Sequence, residues 1–537
     1  MDESQGVATR DEGKIGDRWP ILGALMLAAM VIMLDNSVLN VALPTIGSAL
    51  HAGTAELQWV VTAYSLTFGG LLLTTGNLAD RLGRKRVLAA GLVVMAAGSL
   101  LVLLAQSATA LALIRGLIGV GAALAMPSTL SLIYSTFTGA ARLKAAGLWS
   151  AVTMLGFVIG PVLAGLMLTH LSWQWLFLIN VPVAVVAVPV ILAVIPESRE
   201  ATGERVDLAG AVLSVGVLAA LIYALSTGGD AGWLSLPVLG SFAGAGALLA
   251  LFCWRELTAA QPMLDLRHVA TRAFAVPAVV EATAFLAVSS VLFIQTQLVQ
   301  LVLGYTPLQA GLLTLPPVVV MVAGNSLIAR LGTRVPARFM IAGGLTVVAS
   351  GTLVIALWPT SVVAIIAGMS VIMVGVRAAL TTVAIEVINA LPRERMGMGS
   401  ALNDTFQEIG GAIGVALLGA VLNQAYRSAL PADAPASVLA SLAAAANDPA
   451  WFARAQAAFA HGASVALGVG AVLMVAVGVA AAVLHRPAPD RPGDDRPAAD
   501  AEAQPADLEN AALADTTSPR GANASPASST VENSSPQ

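Results

Sequence analysis

The chain has 537 residues, of which 57% are hydrophobic and only 11% charged, with a formal net charge of −4; a soluble protein carries about a quarter charged residues, so water is not its main solvent. No basic block suggests a nucleic-acid partner, the single Cys253 excludes a disulfide framework, and no histidine pair has metal-site spacing. With Lys14, Lys85 and Lys144 as its only lysines the chain has no GxxxxGK[ST] phosphate loop, so ATP hydrolysis is excluded, and neither a cofactor nor an enzymatic reaction is implied.

Residues 1–19 are polar and of mixed charge, and read as a cytoplasmic N-terminal segment. The first apolar run is too long for a signal-peptide core and lacks a small-residue cleavage site, so it stays as a span. Runs of about 20 apolar residues, each enough to cross roughly 30 Å of hydrocarbon, then recur along the chain. They fall at 20–43, 57–79, 87–106, 109–134, 145–169, 174–195, 207–226, 236–254, 274–299, 308–330, 338–358, 362–390, 399–423 and 461–485. Fourteen spans predict an all-α polytopic membrane protein embedded in a lipid bilayer. Residues 424–460, rich in alanine, read as an outer loop that is partly helical, and 486–537, rich in Pro, Ala, Asp and Ser, as a disordered cytoplasmic tail.

Charge sets the orientation. With the N-terminus in the cytoplasm, all but four of the 27 Lys and Arg residues fall in the tails and inner loops; Arg427 and Arg454 are outside, and Arg115 and Arg377 lie within spans. The positive-inside rule therefore puts both termini in the cytoplasm. Trp19, Trp173, Trp233, Trp254 and Trp358, near span ends, read as interfacial anchors.

Charged side chains inside a membrane cost about 2.5–3.5 kcal/mol on the mildest scale and tend to be functional. In chain order they are Asp35, Arg115, Glu281, Arg377, Glu386, Asp404 and Glu408. Asp35 and Arg115 come at matching depth towards the outer edge, and Glu281 and Arg377 at matching depth towards the inner one, so each half would hold one acid and one arginine. They serve either transport or two structural ion pairs. Asp404 and Glu408 are one helical turn apart and share a face; burial raises a carboxyl's proton affinity, as a proton carrier requires. Glu386 reads as solvated at the inner mouth.

The two halves repeat. Gly156, Gly160 and Gly165 in span 5 have the spacing of Gly410, Gly414 and Gly419 in span 13; GVGAAL at 119–124 matches GVRAAL at 375–380; ADRLGRKR at 79–86 has a degraded partner, ARLGTR at 329–334. The expected architecture is two six-helix bundles, 20–195 and 274–485, with two inserted linker helices at 207–254. Internal repeats flanking a central site are a transporter arrangement.

Four stretches carry a family resemblance. Gly76-Asn77-Leu78-Ala79-Asp80-Arg81-Leu82-Gly83-Arg84-Lys85-Arg86 resembles the loop 2–3 motif of the major facilitator superfamily, and Arg115-Gly116-Leu117-Ile118-Gly119-Val120-Gly121 its span 4 motif, with Ile118 where glutamine is usual. The run 156–165, containing Gly160-Pro161, resembles the span 5 antiporter motif, and 34–44, from Leu34-Asp35 to Pro44, the span 1 motif of the fourteen-span drug:proton antiporters. SWQWLFLINVP at 172–182, PMLDLR at 262–267 and LGYTPLQAGL at 303–312 are also typical of that branch.

The resemblance implies the major facilitator fold and proton-driven efflux of amphipathic, cationic or neutral drugs by a monomer in the bacterial cytoplasmic membrane. It implies a conformational gate at Gly76, Asp80, Arg81, Gly83 and Arg84, while proton coupling is expected at the intramembrane charges Asp35, Arg115, Asp404 and Glu408. It also implies a leak barrier at Gly156, Gly160, Pro161 and Gly165. The substrate cavity is expected at Asn40, Glu281, Arg377, Asn403 and Gln407. Polar groups such as Gln295, Gln300 and Asn325 either bond substrate or join helices. A dedicated exporter of one metabolite, lipid or antibiotic is the alternative; uptake by symport is opposed by the span 5 motif.

Overall fold

The computed structural model describes residues 19–198, 207–259, 264, 266–390, 396–446 and 448–485. Among the described residues, fourteen helices are long and apolar enough to cross a membrane: α1 Trp19–Leu50, α2 Thr54–Leu82, α3 Arg84–Leu104, α4 Ala108–Thr136, α5 Gly139–His170, α6 Trp175–Val194, α7 Leu208–Ala231, α8 Leu236–Thr258, α9 Arg272–Val302, α10 Pro307–Gly332, α11 Ala337–Leu357, α12 Val362–Val387, α13 Ala401–Ala429 and α14 Pro449–Leu484.

Local chemistry sets several boundaries. Ser107 caps α4, accepting from the Ala110 amide at 3.2 Å, and Asp207 caps α7, accepting from Gly210 at 2.8 Å. Thr306 and Gln309 form a reciprocal capping box at the start of α10. Between α2 and α3 the chain turns at Gly83, whose φ of 109° any Cβ would oppose. The Ala-rich connection is shorter than the loop expected at 424–460: α13 runs on to Ala429 and α14 begins at Pro449, capped by Asp448, with short helices Ala436–Ala440 and Leu442–Ala445 between them. Alanine is the best helix former but a weak hydropathy signal, so the sequence pattern understated both helices.

The packing repeats as the glycines do. In the first bundle α1 packs on α5 and α6, α2 on α4, and α3 on α4 and α6; in the second, α9 packs on α13 and α14, α10 on α12, and α11 on α12 and α14. The inserted α7 lies against both α2 and α13, and α8 packs on α7. Ser214 of α7 donates to the Gly70 carbonyl of α2 at 3.2 Å, while Asp230 at its far end accepts from Asn423 and Arg427 of α13 at 2.6 and 2.7 Å. The linker hairpin thus covers the α2–α13 seam. Trp173 departs from its expected anchoring role: it is buried, edge-on to Phe177, whereas Trp19, Trp254 and Trp358 are exposed.

Candidate functional site

The bundles meet at the end of the molecule away from the N-terminal end of α1, and along the α2–α13 seam the contact runs on to Gly69 and Glu408. At that end the repeat's third glycines reach across: a Cβ on Gly165 would lie 2.5 Å from the Leu308 Cα of α10, and one on Gly419 would strike the Gln58 amide of α2. The carbonyl of Pro161 abuts Gly311 of α10, and the carbonyl at the repeat-related position, Val415, accepts from Gln58 Nε2 at 3.1 Å. The other glycines stay within their bundles, Gly156 and Gly160 against α1, Gly410 and Gly414 against α9.

The segment between α13 and α14 seals this end further. Ser48 Oγ donates to the Ala443 carbonyl at 3.2 Å, Thr54 Oγ1 to Ala440 at 3.3 Å, and Ser441 Oγ to Ala52 at 2.7 Å. Gln300, carried on a π-turn that ends α9, donates to the Val41 carbonyl at 2.8 Å. Contact between α5 and α10 is concentrated in the 307–312 turn, so that seam opens towards the N-terminal side.

Just beneath the closure lies a cavity of about 60 Å³, or about 750 Å³ when the open space at its mouth is included, walled by α1, α5, α9, α10 and α12. Its polar edge holds Asn40, Gln295 and Thr296; Phe157 and the thioethers of Met154, Met321, Met369 and Met373 form much of the rest. No ionisable side chain borders it among the described residues.

The charged groups sit elsewhere. Asp35 and Arg115 are 3% and 0% exposed and are joined by an ion pair inside the first bundle. The other Asp35 oxygen accepts from Asn180 Nδ2 of α6 at 2.7 Å, and Asn180 also donates to Ser99 of α3 at 2.9 Å. The Arg115 guanidinium lies 4.5 Å from the centre of the Tyr64 ring and 5.6 Å from that of Phe177, a desolvated cation between two π faces. Three helices, α1, α4 and α6, thus meet at one carboxylate, and α3 joins them through Asn180. Ile118, buried against Gly98, offers no polar contact, and Arg115 Nε is buried without a hydrogen-bond partner.

Of the five residues expected to line the substrate cavity, four lie outside the lining of this pocket. Only Asn40 borders it. Glu281, 1% exposed, accepts from Gln407 Nε2 at 2.9 Å between α9 and α13, with Asn403 and Asp404 beside it. Arg377 does not pair with Glu281: it is exposed and donates to Asn325 Oδ1 of α10 at 3.0 Å. Equal depth fixes a residue's level but not its rotation about the helix axis, and these two side chains point to different neighbours. Glu408 lies on the α2–α13 seam, packed on Gly69 and within reach of Ser65. Glu386 faces His485 at 3.5 Å.

The expected gate residues are gathered at the α2–α3 turn. Asp80 accepts from Arg84 Nε at 2.7 Å, and the Arg84 amide donates to the Ser198 carbonyl at 3.1 Å. Arg86 pairs with Glu197 at 3.3 Å, and the Glu197 carboxylate lies where a Gly83 side chain would go. Gly76 faces open space and Arg81 is exposed. Sequence reasoning gave no role to Asn180, Ser99, Tyr64 or Gln58. Asn180 stood within a recognised motif, and Gln58 had no signal beyond being polar in a span.

Two repeated helical bundles around an inter-bundle cavity, with an ion pair kept inside the membrane, define a polytopic membrane transporter. The sequence profile of the Major Facilitator Superfamily matches residues 25–415, and the chain belongs to that superfamily. It is similar to the multidrug efflux pump LfrA of Mycolicibacterium smegmatis, at 35% identity over 78% of this chain and 83% of that protein. It is 31% identical to the tetracenomycin C resistance and export protein of Streptomyces glaucescens, over 78% of this chain and 79% of that one. Among solved structures it resembles a bacterial homologue of the human lysosomal transporter Spinster in its inward-facing, unoccupied conformation, with a TM-score of 0.63, 16% identity, and coverage of 89% of this chain and 100% of that one.

Proposed function

We propose that this transporter exports amphipathic drugs, cationic or neutral, in exchange for protons, by alternating access across the bacterial cytoplasmic membrane. A single chain encloses the whole path, and the positive-inside asymmetry puts both termini in the cytoplasm. On that orientation the cavity opens towards the cytoplasm and is closed towards the outside. The names of the relatives support export.

The observation that carries proton coupling is the position of Asp35. It is sealed against Arg115 and Asn180, yet on the same helix Ser37 and Asn40 border the cavity. Ser37 also packs on Gly160 of α5. A change in the charge of Asp35 alters what holds α1 in its bundle, and α1 passes that change to both the cavity wall and the α1–α5 contact. Asp404 and Glu408 on α13 are a second place for protons, Glu408 lying on the α2–α13 seam against Gly69. The gate at Asp80 and Arg84 holds α2, α3 and the end of α6 together as one body while the bundles move. About 100 mV contributes roughly 2.3 kcal/mol per proton and one pH unit about 1.4 kcal/mol more, together enough for a gradient of several hundredfold for a neutral drug.

The test is uptake of a panel of cationic and neutral fluorescent dyes into inverted vesicles with an imposed proton gradient. Accumulation should occur and collapse on adding an uncoupler; uncoupler-insensitive accumulation would reject antiport. A second expected result concerns the outer closure. Gly165→Ala places a methyl against α10 backbone, which should cost about 1–3 kcal/mol and reduce dye accumulation severalfold, whereas Gly244→Ala, with open space around it, should leave both melting temperature and accumulation unchanged.

A further inference from the structure

The cavity's polar groups differ in what they have left to offer. Ser37 Oγ donates to Leu34, Thr296 Oγ1 to Leu292 and Thr314 Oγ1 to Gly311, each a carbonyl of its own helix, at 3.1, 2.9 and 2.7 Å. Their protons are spent and only oxygen lone pairs remain. Gln295, 5% exposed, goes further: its Oε1 is buried with no hydrogen-bond partner. A buried acceptor left unmade is expensive, and such a group in a native structure calls for an explanation. The wall is therefore free of charge, its hydroxyls offer only lone pairs, its remaining side-chain donors are the amide NH2 groups of Asn40 and Gln295, and Gln295 sits one turn before the π-turn whose Gln300 closes the outer side.

Thioethers of four methionines and the Phe157 ring form an adaptable, polarisable surface suited to an aromatic face. A fixed cation would find no counter-charge on this wall, since the neighbouring acid on α1, Asp35, is engaged by Arg115 and Asn180. We propose that Gln295 is a specificity-determining residue of this cavity, selecting an uncharged, flat aromatic ligand that presents an N–H or O–H donor to Gln295 Oε1. This rests on the reading of the cavity as the drug path and narrows its substrate class.

The experiment compares binding of three fluorescent probes to the purified full chain in lipid nanodiscs: carbazole, its donor-free analogue N-methylcarbazole, and the permanent cation N-methylacridinium. Carbazole should bind about tenfold or more tightly than N-methylcarbazole, as expected for a hydrogen bond to an otherwise orphaned buried acceptor, and more tightly than the cation. Gln295→Leu should abolish the preference by weakening carbazole alone. Equal or reversed affinities of the carbazole pair, tightest binding of the cation, or a preference that survives Gln295→Leu would each overturn the proposal. The wild-type comparison decides even if the variant fails to fold. Uncoupler-sensitive dye accumulation in vesicles without a carbazole preference would sink this inference and leave drug export standing; the preference without any accumulation would do the reverse.

Discussion

Joining Gly47 to Ala443 by an engineered disulfide is expected to hold the outer side shut and stop export. The last turns of α1 and the segment between α13 and α14 belong to different bundles, and a Cβ built on Gly47 lies 2.7 Å from the Ala443 Cβ. A disulfide needs Cβ atoms about 3.8 Å apart, a local adjustment of about an ångström that leaves the three flanking hydrogen bonds from Ser48, Thr54 and Ser441 in place. The pair is best built in a Cys253→Ala background, because Cys253 is the chain's one cysteine. Oxidised Gly47→Cys/Ala443→Cys protein should lose dye accumulation by about tenfold or more, since the outward-open state is then reached only by breaking a covalent bond, and reductant should restore it. Probe binding from the cytoplasmic side should persist in the oxidised form. Full accumulation by quantitatively cross-linked protein would show that this end need not open, and alternating access through it would fall.

The same segment shows where the sequence was a poor guide. Fourteen spans were legible because each is a long, strongly apolar run, and the repeat because glycine spacing survives where other residues drift. The stretch 430–448 gave neither signal: alanine and serine are indifferent in hydropathy, yet here small side chains let the segment lie on Gly47 and the α1–α2 turn. The charged residues were legible as a set but not as pairs. Asp35 and Arg115 meet; Glu281 and Arg377, matched by the same depth argument, turn instead to Gln407 and Asn325. Helix rotation decides partnership, and a single sequence read for depth does not contain it. Gln295 was one polar residue among several in the spans; its meaning came from counting the hydrogen bonds its neighbours had already made.

Asp35→Asn is expected to abolish uphill transport while leaving substrate binding. Asparagine keeps the shape of the carboxylate and can still accept from Asn180, but it neither takes up nor releases a proton at the pH of the assay. Accumulation in energised vesicles should fall to a ratio near one, with downhill dye movement retained. The change also leaves the Arg115 guanidinium buried between Tyr64 and Phe177 without its counter-ion, and removing one partner of a buried pair costs about 3–5 kcal/mol. A loss of accumulation alone therefore does not separate a proton site from a structural ion pair. The double variant Asp35→Asn/Arg115→Gln does, because it removes the stranded charge and should recover much of the lost thermal stability. If Asp35 drives the cycle, the double variant melts near wild type and still fails to accumulate dye. If instead it regains uphill, uncoupler-sensitive accumulation, Asp35 is only a counter-ion, and the proton must be carried on α13, where Glu408→Gln in the same assay would abolish accumulation.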